Sequence, residues 1–306
     1  MNHSKNNLLL FFITLYLLTV HFTILTCSQN NIFFENTENR LRYYVNILAS
    51  DSMKGREAGT EGADKSAKWI NNIFKNINIQ NCDSCPFTQK LKVVTAKGDT
   101  SYSENIIGYL MGNSDSWILI CAHYDHIGYG GKYSRNPFKN QIHKGADDNA
   151  SGVAVLIEIA DRLSNIKTKN YNYIFIALTG HETGLYGSTY FAQNPTVNLQ
   201  KIKFILNLDM LGRLDNENPN ILYYISGKSI FSVIENKYTN EFNFIKLKYL
   251  LGDHSIFESD NIPVVALSTG VHEDYHTVND IPELINYKGM IKITDFLYEI
   301  LLENEK

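Results

Sequence analysis

An α/β fold, with a twisted and mostly parallel central sheet between helical layers, is predicted by two features of the sequence. Short apolar runs rich in Ile, Val, Tyr and Phe recur along the chain, and segments with apolar residues at three-to-four spacing lie between them. Such runs are too short for buried helices, and their continuous apolar character reads as strands covered on both faces. With 306 residues and 44% hydrophobic side chains, the chain can bury a sizeable core. No internal repeat or low-complexity linker divides it, so residues 30–306 are expected to form one three-layer domain.

Taken in order, the chain begins with Lys5 and then an apolar run from Leu8 to about Leu25, followed by Cys27. This is the order of a cleaved export signal over residues 1–27, which predicts an exported protein: periplasmic, on the cell surface or secreted. A retained anchor is the alternative, because an 18-residue apolar run just spans a bilayer. Ile24–Cys27 also resembles a bacterial lipoprotein cleavage box, although Thr26 stands where a smaller residue is usual. Lipid on Cys27 would attach the chain to a membrane. The spacing next predicts helices over Thr37–Ala49 and Thr60–Asn76, then strands at Trp117–Ala122, Tyr173–Leu178, Phe204–Leu208, Ile221–Ile225 and Val264–Ser268. Further helices are predicted at Gly152–Leu163, around Tyr186–Asn194, at Ser229–Thr239 and from about Lys288 to Leu302.

A net charge of −4 without any basic cluster argues against a nucleic-acid partner. Four cysteines are too few for a disulfide framework in a chain of this length. Cys121, inside the apolar WILICA run, reads as a small buried hydrophobe. Cys82 and Cys85 form a lone CxxC, half of a tetrahedral thiolate site, and are expected to pair as a local disulfide after export.

The chemistry-bearing residues follow the predicted strands, where open α/β sheets gather their sites. His123 and Asp125 lie two apart in extended chain and so face one side, which lets the carboxylate orient a metal-binding imidazole. Asp147 and Asp148, in GADDNASG, repel each other unless a cation or the helix N-terminus near Ser151 relieves them. His181 and Glu182 follow Tyr173–Leu178, but Leu185 stands where a helical HExxH motif needs its second histidine, so that motif is excluded. Asp209 ends the next strand and His276 lies in EDYHTVND. Each has an ordinary structural explanation alone. Together, nitrogen and oxygen donors without thiolates favour a catalytic zinc site.

On this ordered set of motifs, with the opening segment LASDSMKGREAGTEG, the chain resembles the co-catalytic dizinc exopeptidases of the bacterial leucyl-type aminopeptidase family. The resemblance runs from about Leu48 to the last helix. It implies a zinc-exopeptidase fold, two Zn2+ ions per chain and peptide substrates cut at a chain end, most commonly the N-terminus. It further implies that His123 and Asp209 bind one zinc, Glu182 and His276 the other, and Asp148 both. Asp148 takes that place over Asp147 because it stands three residues before Ser151, as the family's bridging residue does. Asp125 would support His123, and Tyr275 resembles a tyrosine that in some relatives stabilises the tetrahedral intermediate. The chain departs from the family at His181, where a glutamate general base is usual. Neutral imidazole also accepts a proton near pH 7, so His181 is the expected base. Two alternatives share the fold: a non-catalytic binding or receptor-like homologue, and a glutaminyl cyclase, which keeps the glutamate and works with one zinc.

Overall fold

The strand Trp117–His123 shows how the core is built. Ile118, Ile120 and Ala122 enter one apolar cluster, Leu119 and Cys121 another, and none of them touches solvent. Burial on both faces contributes about 1.5–3 kcal/mol for each large aliphatic side chain. The computed structural model describes residues 36–80, 85–136, 140–214, 221–226, 237–248, 252–258 and 262–305. Its helices are α1 (Thr37–Leu48), α2 (Glu61–Asn76), α3 (Gly152–Ser164), α4 (Tyr186–Gln193), α5 (His254–Glu258) and α6 (Tyr287–Asn304). Its strands are β1 (Thr88–Val94), β2 (Thr100–Leu110), β3 (Trp117–His123), β4 (Asn172–Leu178), β5 (Ile202–Leu208), β6 (Ile221–Ser226), β7 (Asn243–Lys246) and β8 (Val264–Ser268).

The strands form one sheet in the order β1-β2-β4-β3-β5-β8-β6-β7. β4, β3, β5 and β8 run parallel in the centre, whereas β1, β2 and the β6–β7 pair join through antiparallel contacts. Helices α1, α2, α3 and α6 supply the cluster on one face, and α4 and α5 supply Phe191 and Phe257 to the other. The chain leaves β3 for β4 on one side and returns to β5 on the other, so a crevice opens beside the end of β3. His123, the 181–182 loop and Asp209 all emerge there.

Within the described residues the predicted strands and helices are present with small shifts at their ends, while β1, β2, β7 and α5 were not anticipated. β1 alternates exposed Lys90 and Lys92 with buried Leu91 and Val93, and the first half of β2 is polar, so neither reads as a continuous apolar run. β7 has four residues, exposed at Asn243 and Lys246 and half-buried between them. The export segment with Cys27, residue Cys82 and most of the predicted helix Ser229–Thr239 lie outside the described residues. Cys85 is disulfide-bonded and Cys121 is free and buried. Among the described residues, no helix is long and apolar enough to cross a membrane.

Candidate metal centre

GADDNASG is tied down residue by residue, and the tethers decide which aspartate faces the crevice. Asp147 Oδ1 accepts the Gly212 N–H at 2.6 Å and the Ser151 hydroxyl at 2.9 Å. Asn149 accepts from the Met210 and Gly152 N–H groups and donates to the Leu208 carbonyl. Asp280 accepts the backbone N–H groups of Asp147 and Asp148. With its neighbours bound to the exit of β5, Asp148 is left projecting among the histidines.

Asp148 presents one oxygen to each of two groups of side chains. Its Oδ1 is 3.4 Å from His123 Nε2, which is itself 3.5 Å from Asp209 Oδ1. Its Oδ2 is 3.1 Å from His276 Nε2 and 3.6 Å from His126 Nδ1, and both histidines approach Glu182 at 3.1 and 3.0 Å. All five expected ligands therefore converge on one pocket, with His126 and His181 added. His126, Asp148, Glu182 and His276 form one group that could hold a metal ion, and His123, His181 and Asp209 form a second. His123 and His276 turn Nδ1 to the carbonyls of Asp125 (3.2 Å) and Tyr133 (2.9 Å), leaving Nε2 as the free ligand atom.

One supporting role differs from expectation. The Asp125 carboxylate stands 3.9 Å from His123 Nδ1, too far for a hydrogen bond. Instead it accepts the backbone N–H groups of His181 and Glu182 at 3.1 and 3.2 Å, and so holds the loop that carries them. His181 lies flat against His123 with ring centroids 3.8 Å apart, and its Nδ1 is 2.8 Å from Asp253 Oδ2. Asp253 is fully buried and also accepts the Ser188 hydroxyl at 2.6 Å. Neither Asp253 nor His126 was singled out in the sequence. His126 carried a visible signal, one residue beyond His123 and Asp125, whereas Asp253 is distant from its partner in the chain. Arg56 is a further organiser: fully buried, it donates to the carbonyls of Leu48, Tyr124, Lys144 and Gly145.

The electrostatics call for cations. Burial and the neighbouring His181 push the His123 imidazolium down, yet the Asp209 and Asp148 carboxylates outweigh them and bring its pKa to about 9. Burial likewise opposes His276, but Asp148 and Glu182 raise it to about 10. Burial would raise Glu182, but His126 and His276 hold it well below the ordinary carboxylate range. The Nε2 atoms of His123 and His276 and Oδ2 of Asp148 are buried without a hydrogen-bond partner. Buried carboxylates and orphaned imidazole nitrogens at this spacing fit divalent metal. A cavity of about 190 Å3 reaches the pocket, lined by Asp148, His181, Asp209, Met210, Tyr223 and Tyr275 among others.

The architecture is shared with known crystal structures, and places the chain among the zinc-exopeptidase folds. A leucine aminopeptidase precursor from Bacteroides thetaiotaomicron matches with a TM-score of 0.72 at 19% identity, covering 90% of this chain and 99% of that one. Porphyromonas gingivalis glutaminyl cyclase matches with a TM-score of 0.72 at 20% identity, covering 87% and 98%. Residues 105–301 match peptidase family M28, and the chain belongs to that family. A probable leucine aminopeptidase of Arthroderma otae is 24% identical over 260 residues, 77% of this chain. The chain spans 63% of that relative's length and 37% of that of a probable zinc metalloprotease of Pyrenophora teres f. teres.

Proposed function

We propose that the chain is a zinc-dependent exopeptidase that releases N-terminal residues from peptides, with two ions held by His123, Asp209, Glu182, His276 and the shared Asp148. The observation that carries this reading is the division of the Asp148 oxygens between two groups of donors. When bound, zinc polarises the scissile carbonyl and makes water more acidic. His181 takes the proton of that water at Nε2 and returns it to the leaving amine, while Asp253 holds Nδ1 and keeps the ring turned to the cavity. Tyr275, on the cavity wall and stacked against His276, lies where it can steady the tetrahedral oxyanion.

A panel of aminoacyl amides, peptides and N-terminal glutaminyl peptides tests the reading. Hydrolysis that a chelator abolishes and zinc restores is expected. Cyclisation in place of hydrolysis would transfer the chain to the glutaminyl cyclase reading, and a zinc-loaded protein without turnover would make it a binding protein. For the base, His181→Ala should lower kcat by about 10²–10⁴ while zinc content holds, and His181→Glu should recover part of the loss. Loss of zinc from His181→Ala would make His181 a ligand instead, and full activity would remove it from the reaction.

A further inference from the structure

We propose that His126 is a metal ligand through Nδ1, and that it makes one of the two ion sites closed and leaves the other open. This rests on the reading of the pocket as a binuclear zinc centre. His126 is fully buried three residues beyond His123, the last residue of β3. Its Nδ1 stands between the two carboxylates of its group, 3.0 Å from Glu182 Oε1 and 3.6 Å from Asp148 Oδ2. His276 Nε2 meets the same pair of side chains at 3.1 and 3.1 Å. Donors on a tetrahedral zinc with bonds of about 2.0–2.1 Å lie roughly 3.3–3.4 Å from one another. The observed separations scatter around that edge length, and all four ligand atoms fall within 4.8 Å of each other. A histidine that served only to orient Glu182 would need one carboxylate in reach. His126 has two, in the same relation as the histidine on the other side of them.

The two halves of the centre then differ in kind. His126, Asp148, Glu182 and His276 give four protein donors, which is the complement of a filled structural zinc site. With His181 kept apart as the proposed base, His123, Asp209 and the other Asp148 oxygen give three, which leaves a position for water or substrate. The cavity agrees with this division, for its walls include Asp148, His181 and Asp209 but not His126, Glu182 or His276. His126, Glu182 and His276 would hold the closed site around Asp148, and His123 and Asp209 would leave the open site facing the substrate.

The nitrogen used is itself the test. His123 and His276 occupy Nδ1 with carbonyl oxygens and offer Nε2, whereas His126 faces the carboxylates through Nδ1. In long-range 1H–15N imidazole spectra of the full chain loaded with two equivalents of zinc, one histidine should be metal-bound through Nδ1. That signal should vanish in His126→Asn, which retains a side-chain donor for Glu182 but no imidazole. Dialysed His126→Asn should also lose one of its two zinc ions, with a drop in affinity beyond the about 10–100-fold that a mere partner of a ligand accounts for. A wild-type spectrum with no Nδ1-bound ring, or a folded His126→Asn that keeps both ions at wild-type affinity, would overturn the proposal and leave the exopeptidase reading standing. A wild type that takes up no zinc would overturn both.

Discussion

Asp147 and Asp148 are adjacent and equally buried, yet their carboxylates are used for opposite ends. Asp147 gives Oδ1 to the Gly212 N–H and the Ser151 hydroxyl and turns Oδ2 to His272 Nε2 at 3.3 Å, whereas Asp148 faces only the pocket donors. Asp148→Ala should therefore strip far more zinc than Asp147→Ala, measured as metal per chain after dialysis. Asp147→Ala should instead cost stability, at about 1–3 kcal/mol for each polar group it leaves buried and unpaired. Equal metal loss in the two variants would remove the bridge from Asp148. The convergence of the five residues was legible because each sits at the end of an apolar strand or in a distinctive loop, and open sheets collect such positions. Asp253 was not, since its value comes from meeting His181 at 2.8 Å across a separation of 72 positions, a contact that no local pattern encodes.

At the scale of elements, α1 and α3 are joined through Glu158, which has no solvent exposure. Arg40 grips it through Nε and Nη2 at 2.7 and 2.6 Å, and Arg162 reaches it from the next turn of its own helix at 2.9 Å. Glu158→Ala leaves two guanidinium groups facing a buried void. About 3 kcal/mol should be lost, at the low end for a broken buried pair because both arginines keep some contact with water. Chemical denaturation would read this as a lower midpoint with an unchanged slope, and a loss under 1 kcal/mol would show the pair to be replaceable by solvent. The helices around this contact could be read from three-to-four spacing. The β1–β2 hairpin could not, because half-exposed strands with lysines every second residue do not look like the interior strands that define the fold class.

For the whole molecule, a centre that gathers three carboxylates and four histidines should make metal part of stability. Zinc at a thousand times its dissociation constant should add about 4 kcal/mol, visible as a melting temperature that rises with zinc concentration and falls with chelator. A melting curve indifferent to both would deny the centre any ion. Export, read from the apolar run after Lys5, should yield a mature chain that begins at Cys27 if lipidated or beyond it if not. Mass spectrometry of the native terminus decides between them, and an intact Met1 would refute removal of the segment. The tethers of the pocket also carry a consequence in time. Arg56, near the start of the described fold, holds the carbonyls of Lys144 and Gly145, and Asp280, near its end, holds the N–H groups of Asp147 and Asp148. The loop that presents Asp148 is thus pinned by early and late segments of the described fold, so a growing polypeptide has no finished cradle until Asp280 has been made. If the chain is exported, metal uptake should follow completion of that cradle on the far side of the membrane.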